Sequence, residues 1–190
     1  AEASGLIAPM GLWIIRKAFE DFNALTKTVL PKNCRLSLNV SVRQMYEDNF
    51  VQEIKNLIKR SGVNPHLITL EVTESIMIGK IEDSLDKMLA LQKLGIEFSI
   101  DDFGTGYSSL QYLKELPFAE IKIDRSFVKN IELNESEAEL VITIIAMANS
   151  LKLRIVAEGV ETREQYEFLL NNGCELYQGY LFSKPLPIDQ

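Results

Sequence analysis

Cysteine and histidine are nearly missing from this chain, which has two cysteines, Cys34 and Cys174, and one histidine, His66, among its 190 residues. Two distant thiols make neither a disulfide framework nor a CxxC ligand pair, and with a single imidazole they cannot build the nitrogen and sulfur cage that zinc prefers. They read as core residues of a chain kept in a reducing compartment. Long apolar runs are missing too. The longest, LVITIIAMA from Leu140 to Ala148, falls well short of the roughly 18 residues a membrane span needs and reads as a buried helix. The start, AEASGLIAPMG, has no basic region ahead of an apolar one, so no secretory signal is visible, and without an initiator Met it reads as a soluble fragment of something longer. Positive charge is also scarce, with 20 Lys and Arg against 27 Asp and Glu, a formal net charge of −7 and a pI near 4.9. DNA and RNA binding draws its affinity from clustered basic residues, so a polyanion-wrapping surface is excluded. A small anionic ligand stays open, provided cations offset the acids.

What is present is ordinary globular material. Apolar residues make up 46% and charged residues 25%, enough for one domain with a sizeable core. No linker, low-complexity tract or tandem repeat interrupts it. Helix is expected from about Met10 to Leu25. A stripe at Leu85, Met88 and Leu89 predicts another that stops before Gly95, a good helix terminator. The pairs Ser136 with Glu139 and Thr162 with Gln165 each fit a capping box, and Leu140, Ile144, Met147 and Leu151 share one helical face. Trp13, Tyr112 and the Phe residues lie in apolar patterns and are expected to be mostly core.

Six segments, LSLNVS, ITLEVTE, EFSIDDFGTG, EIKIDRSF, RIVAEGVE and ELYQGY, alternate in apolar character and then end on a polar group. Alternate side chains of a strand share a face. Leu36, Leu38 and Val40 therefore fall together, as do Ile68, Leu70 and Val72, and Phe98 with Ile100. Asn39, Glu71, Asp101 and Lys122 take the opposite phase, with Ser37, Thr69 and Ser99. Strands separated by helices imply parallel pairing with crossovers, and in a β/α barrel the carboxyl ends of different strands converge on one site. The predicted class is α/β, a modified TIM-type barrel of which about six of eight strands are in this chain. The missing pair is expected before Ala1, or the gap is covered by another segment or chain, because bare edges expose unpaired backbone groups.

Asn39, Glu71, Asp101, Asp102 and Glu158 supply only oxygen donors, a set suited to Mg²⁺ or Mn²⁺. Taken singly, Asn39 or Glu71 reads equally well as structural. Asp101 and Asp102 reach a common site only where the strand ends and turns, and Gly104 and Gly106 let the backbone do so. Lys122 points into the same acidic mouth, to hold a phosphate or a water, or to pair with Asp124 or a barrel acid. Glu161 either supports the metal or starts the next helix. Glu74 is placed to brace the loop from Asp102 to Ser109. His66, just ahead of a strand, belongs at the opposite end of the barrel, and Ser108 and Ser109 have no nearby histidine base, which leaves serine nucleophile chemistry unsupported.

The stretches GLIAPMGLWII, LNVS, EVTES, DDFGTGYSSL, KIDRSFV, AEGVET and QGYLFSKP, in this order over nearly the whole chain, resemble the EAL-domain family of bacterial cyclic di-GMP phosphodiesterases. The resemblance implies a modified β/α barrel that binds cyclic di-GMP and, with Mg²⁺ or Mn²⁺, two ions in the family scheme, hydrolyses it to linear pGpG. By motif it makes Asn39, Glu71, Asp101, Asp102, Glu158 and Glu161 metal residues, with Asp101 bridging. Glu158, Lys122 and Asp101 become the catalytic set, Lys122, Gln178 and Asp124 the substrate contacts, and Glu74 the loop brace. The Glu-Ala-Leu signature itself, with its metal-binding Glu and a following substrate-binding Arg, would precede GLIAPMG and is not in the chain. These residues alone are therefore expected to hydrolyse weakly or not at all, while the parent is competent. The resemblance further implies a cytoplasmic signalling protein, fused to upstream sensor or GGDEF-type domains, with a homodimer across the helix after DDFGTGYSSL as an option. A cyclic di-GMP receptor without catalysis and a purely regulatory domain acting through protein contacts are the alternatives.

Overall fold

In the computed structural model, which describes residues 7–77, 81–106 and 110–187, strand and helix alternate as the periodicities predict. α1 (Ile7–Leu25) leads to β1 (Leu36–Asn39), the short α2 (Val42–Met45), α3 (Phe50–Ser61), β2 (Ile68–Thr73), α4 (Ile81–Gln92), β3 (Glu97–Phe103) and α5 (Leu110–Glu115). Then come β4 (Glu120–Ile123), α6 (Arg125–Asn130), α7 (Glu135–Leu151), β5 (Arg154–Glu158), α8 (Arg163–Asn171) and β6 (Leu176–Gln178). The strands follow one another in chain order in the sheet, and β1 with β2, β4 with β5 and β5 with β6 pair in parallel. Parallel neighbours need a returning crossover, which the helices supply. The class is the α/β one of a modified β/α barrel, with six strands among the described residues. Ser108 and Ser109 lie outside the described residues.

The chain divides into two compact units, Ala1–Ser99 with Ser109–Pro117, and Ile100–Ser108 with Phe118–Gln190. The first boundary between them falls within β3 rather than in a linker. In the first unit α1 lies against α3, burying Ile15, Phe19 and Phe22 of one helix and Phe50, Ile54 and Leu57 of the other. Each such side chain contributes about 1.5–3 kcal/mol by leaving water. Trp13 departs from the expectation of a core residue, being 57% exposed. At 100° per residue it falls away from the Ile15, Phe19 and Phe22 stripe and shares the outer face with Met10 and Ile14. In α4 the buried positions are Ser84, Lys87, Met88 and Leu91, while Leu89 faces out. The buried stripe is thus one position away from the apolar one, because the aliphatic stem of Lys87 is packed inside while its ammonium bonds to the Met45 carbonyl at 3.0 Å and Asp83 at 2.8 Å. His66 sits at the turn into β2, its ring against Gly95, where an added Cβ would lie 2.6 Å from the imidazole.

In the second unit β4 is buried at all four positions, as expected of a parallel strand covered on both sides. α7 begins earlier than the sequence suggested. Asn134 is its N-cap, accepting the Ser136 amide at 3.1 Å, so Ser136 lies inside the first turn and the Ser136 to Glu139 box does not form. The buried face of α7 is Val141, Ile144, Ile145 and Ala148, with Leu140 exposed. The Thr162 to Gln165 capping box is present at α8, and a second, unanticipated one joins Ser41 to Gln44 at α2. No helix among the described residues is long and apolar enough to cross a membrane.

Candidate metal centre

Three carboxylates meet in the second unit. Asp101 and Asp102 of β3 and Glu158 at the end of β5 each offer an oxygen, all within 4.8 Å of one another. Lys122 joins them from β4, where Ile121 and Ile123 on the opposite phase are fully buried. Its ammonium stands 3.0 Å from Asp101 Oδ1 and 2.6 Å from Glu158 Oε1. Neighbours on a flat strand point to opposite faces, so two consecutive aspartates share a site only if the backbone breaks that rule. Here it does: Asp102 is left-handed, with φ 52, a conformation costing about 1–2 kcal/mol for residues with a Cβ but tolerated by Asp. The Asp102 carbonyl then accepts the Thr105 hydroxyl at 2.8 Å and its amide at 3.4 Å, and Gly104 follows with φ 98. The turn expected after the strand begins inside it.

The local field follows from this crowding. Burial first, then the charges of Asp101 and Asp124 and a hydrogen bond shared with Asp124, hold the Asp102 carboxyl above the usual carboxylate range, with Lys122 pulling the other way. For Asp124 burial alone pushes upward, but hydrogen bonds from Ser126, Asp102 and the Arg125 amide outweigh it and leave the group below its ordinary value. Asp124 is at the same time the N-cap of α6, accepting the Ser126 amide at 2.9 Å and its hydroxyl. This Asp102 to Asp124 contact had no signal in the sequence beyond the two residues' separate strand ends. Asp101 Oδ1 is buried and accepts no hydrogen bond, although the Lys122 ammonium faces it as an ion pair. Three carboxylates against one ammonium leave a surplus of negative, oxygen-only donors, which fits a hard divalent cation.

Beside the cluster, Gln178 of β6 is the register partner of Glu158. A cavity of about 480 Å³ opens there, lined among others by Arg125, Glu158, Glu161, Gln178, Tyr180 and Lys184. Glu161 precedes the N-cap Thr162 and so stands outside α8, in the cavity wall. In the first unit Asn39 and Glu71 are register partners on β1 and β2, and the Val40 amide donates to the Glu71 carbonyl at 2.8 Å. Glu71 and Glu74 are buried, whereas Asn39 is exposed. A second cavity, of about 670 Å³, is bounded there by Asn39, Ser41, Arg43, Gln44, Thr73 and Ser75 with an apolar side at Met10 and Ile14. The structure thus gathers Asp101, Asp102, Lys122, Asp124, Glu158 and Gln178 in one unit and pairs Asn39 with Glu71 in the other. Gln44 and Gln165, which tie down the turns after β1 and β5, were not among the expected site residues, although SVRQ carries the same hydroxyl-to-glutamine spacing as TREQ.

The family model for the EAL domain matches residues 1–185. The cyclic di-GMP phosphodiesterase NbdA of Pseudomonas aeruginosa is 41% identical over 188 residues, which are 99% of this chain and 24% of that protein. The solved structure of the PaMucR phosphodiesterase in complex with c-di-GMP superposes with a TM-score of 0.95 at 39% identity, covering 100% of this chain and 76% of that one. Klebsiella pneumoniae BlrP1, solved as a manganese and cy-diGMP complex, gives a TM-score of 0.84 at 28% identity over 94% of this chain and 45% of that one. The chain spans about a quarter of the length of the curated relatives it matches.

Proposed function

The chain belongs to the EAL domain family, and on that premise we propose that it carries the centre of a cyclic di-GMP phosphodiesterase that yields linear pGpG in bacterial second-messenger signalling. The observation that supports this most is the cluster of Asp101, Asp102 and Glu158 around the Lys122 ammonium, in a chain so similar to proteins named for that activity. Asp101, Asp102, Glu158 and Glu161 would hold Mg²⁺ or Mn²⁺, with Asn39 and Glu71 assigned as further ligands. Bound divalent cations would polarise the phosphate, lower the pKa of a water and steady the departing oxygen. In the reaction that water adds its oxygen to phosphorus, one ester P–O bond of the ring opens, and the freed oxygen takes up a proton.

The chain's own groups have distinct parts in this scheme. Lys122, already between Asp101 and Glu158, holds the phosphate or the attacking water, and Glu158 with Lys122 handles the proton. Gln178, Asp124 and the cationic groups of Arg125 and Lys184 near the cavity offer polar contacts to an anionic nucleotide. Glu74 is assigned to steady the loop after Asp102. The expected setting is a cytoplasmic signalling protein with sensor or GGDEF-type domains, with a homodimer as an option.

Product analysis with Mn²⁺ tests the proposal in the protein that contains this chain. Wild type should form pGpG, and Asp101→Asn or Glu158→Gln should slow it by at least about 100-fold, since even groups that only support metal ligands are worth 10–100-fold. Calorimetry separates the alternative: tight cyclic di-GMP binding in Ca²⁺ and in Mn²⁺ without pGpG would make the domain a receptor, and no binding of either metal or nucleotide would leave only a regulatory role.

A further inference from the structure

The turn from β5 into α8 carries Glu158 and Glu161, and its backbone is fastened on two sides. On one side the Val160 amide donates to the Gln178 carbonyl at 3.1 Å and the Leu181 amide donates to the Val160 carbonyl at 3.0 Å. At Gly159, φ is 69 and an added Cβ would lie 2.5 Å from the Arg125 Cβ, so the chain passes close over the start of α6. On the other side is Gln165, only 4% exposed. An ordinary capping box returns its third residue to the N-cap amide alone. Gln165 goes further back: its Oε1 accepts from the Thr162 amide at 3.1 Å and, more closely, from the Glu161 amide at 2.8 Å. Its Nε2 reaches toward the Lys129 carbonyl at 3.5 Å, at the end of α6.

We propose that Gln165 is a positioning residue for the metal centre, holding Glu161 and through it Glu158 at the wall of the cavity; this rests on the metal reading above. Two backbone amides depend on one side-chain oxygen, and burial makes their loss costly. Divalent-ion sites accept donor distances only within about 0.2 Å of their preferred values, so a small relaxation of the Glu158 to Glu161 turn is felt at the ion. The turn from β1 into α2 repeats the device: the Gln44 Oε1 accepts from the Ser41 amide at 3.1 Å and from the Ser41 hydroxyl at 3.0 Å, just after Asn39, and Gln44 is also 4% exposed. The caps at Asn64, Asp124 and Asn134 instead close on an amide two residues ahead. Among the described residues, both capping boxes fall after a strand that ends in an assigned metal residue.

The test is calorimetric titration of Mn²⁺ alone into the protein that contains this chain and its variants, with melting temperature and amide exchange measured on the same samples. Gln165→Leu keeps the volume but removes the acceptor, and it should weaken Mn²⁺ binding 10–100-fold while Glu161 and Thr162 lose amide protection. Gln165→Glu keeps an acceptor oxygen and should bind within about threefold of wild type, because either residue closes a capping box. Thr162→Ala loosens the start of α8 but leaves the Glu161 amide bonded, so it should lower the melting temperature and leave Mn²⁺ affinity unchanged. If Gln165→Leu binds as wild type does, or if Thr162→Ala weakens binding equally, Gln165 serves only the helix and the inference falls. If the wild-type protein takes up no Mn²⁺, the metal reading itself is wrong and the inference goes with it.

Discussion

Asp102 leaves the extended conformation so that two consecutive carboxylates share one side of a strand, and burial with the charges of Asp101 and Asp124 holds its carboxyl above the usual range. Cys174 illustrates the opposite, a polarisable group made inert. It is fully buried, and burial pushes its thiol from 9.0 up to about 11. An unfolded thiol would ionise near 9 while the folded one stays neutral until about 11, so burial of the neutral form favours the fold at every pH below about 9. That advantage fades as pH rises from about 9 to 11. In native protein at pH 8 a thiol reagent should therefore label Cys34, which is partly exposed, and reach Cys174 only after denaturant is added. The melting temperature should also fall less steeply between pH 9 and 11 in Cys174→Ala than in wild type. Asp101 and Glu158 could be read from the sequence because each ends a strand in the phase opposite its apolar neighbours, and Asp102 because it stands next to Asp101 where the strand ends. The Asp102 to Asp124 bond could not, since it depends on a backbone angle that no residue pattern encodes.

Short elements here owe their placement to close backbone approach. Gly179, just after β6, does not adopt a left-handed φ, yet an added Cβ would lie 2.1 Å from the Val160 carbonyl oxygen and 2.3 Å from its nitrogen. Backbone atoms cannot swing aside as a side-chain tip can, so Gly179→Ala must push β6 off the Glu158 to Glu161 turn. A loss of about 1–3 kcal/mol is expected, the range for overpacking, seen as a lower denaturation midpoint with an unchanged slope. At Gly11 the clash is with the Gln44 side-chain amide, 2.0 Å away, and both glycines look unremarkable in sequence. Elements with a strong period were legible, as α1 and the strands show. What misled was local competition: Asn134 outbids Ser136 as the cap of α7 because its carboxamide reaches the amide two residues on, and Lys87 takes a buried place in α4 that an apolar stripe reading gives to Leu89.

For the molecule as a whole, net charge and metal binding are linked. A chain at −7 with three carboxylates within 4.8 Å should gain stability from a cation that only the folded state gathers. At about 100 times its dissociation constant, Mn²⁺ contributes about 2.7 kcal/mol, which raises the midpoint of a chain this size by about 5–10 °C. Thermal melting with and without Mn²⁺ checks this, and Asp101→Asn should abolish most of the shift. The fold class was legible because alternation of strand and helix is written in the order of apolar and polar residues, whereas the division inside β3 follows from packing and leaves no linker to read. That division gives the outward-facing Trp13 a practical value. It is the only indole in the chain, it belongs to the first unit, and at 57% exposure its emission should lie far to the red and be quenched by iodide. Tryptophan fluorescence would consequently report on α1 and the first unit, whereas the tyrosine pair Tyr166 and Tyr177, ring centroids 4.9 Å apart, belongs to the second.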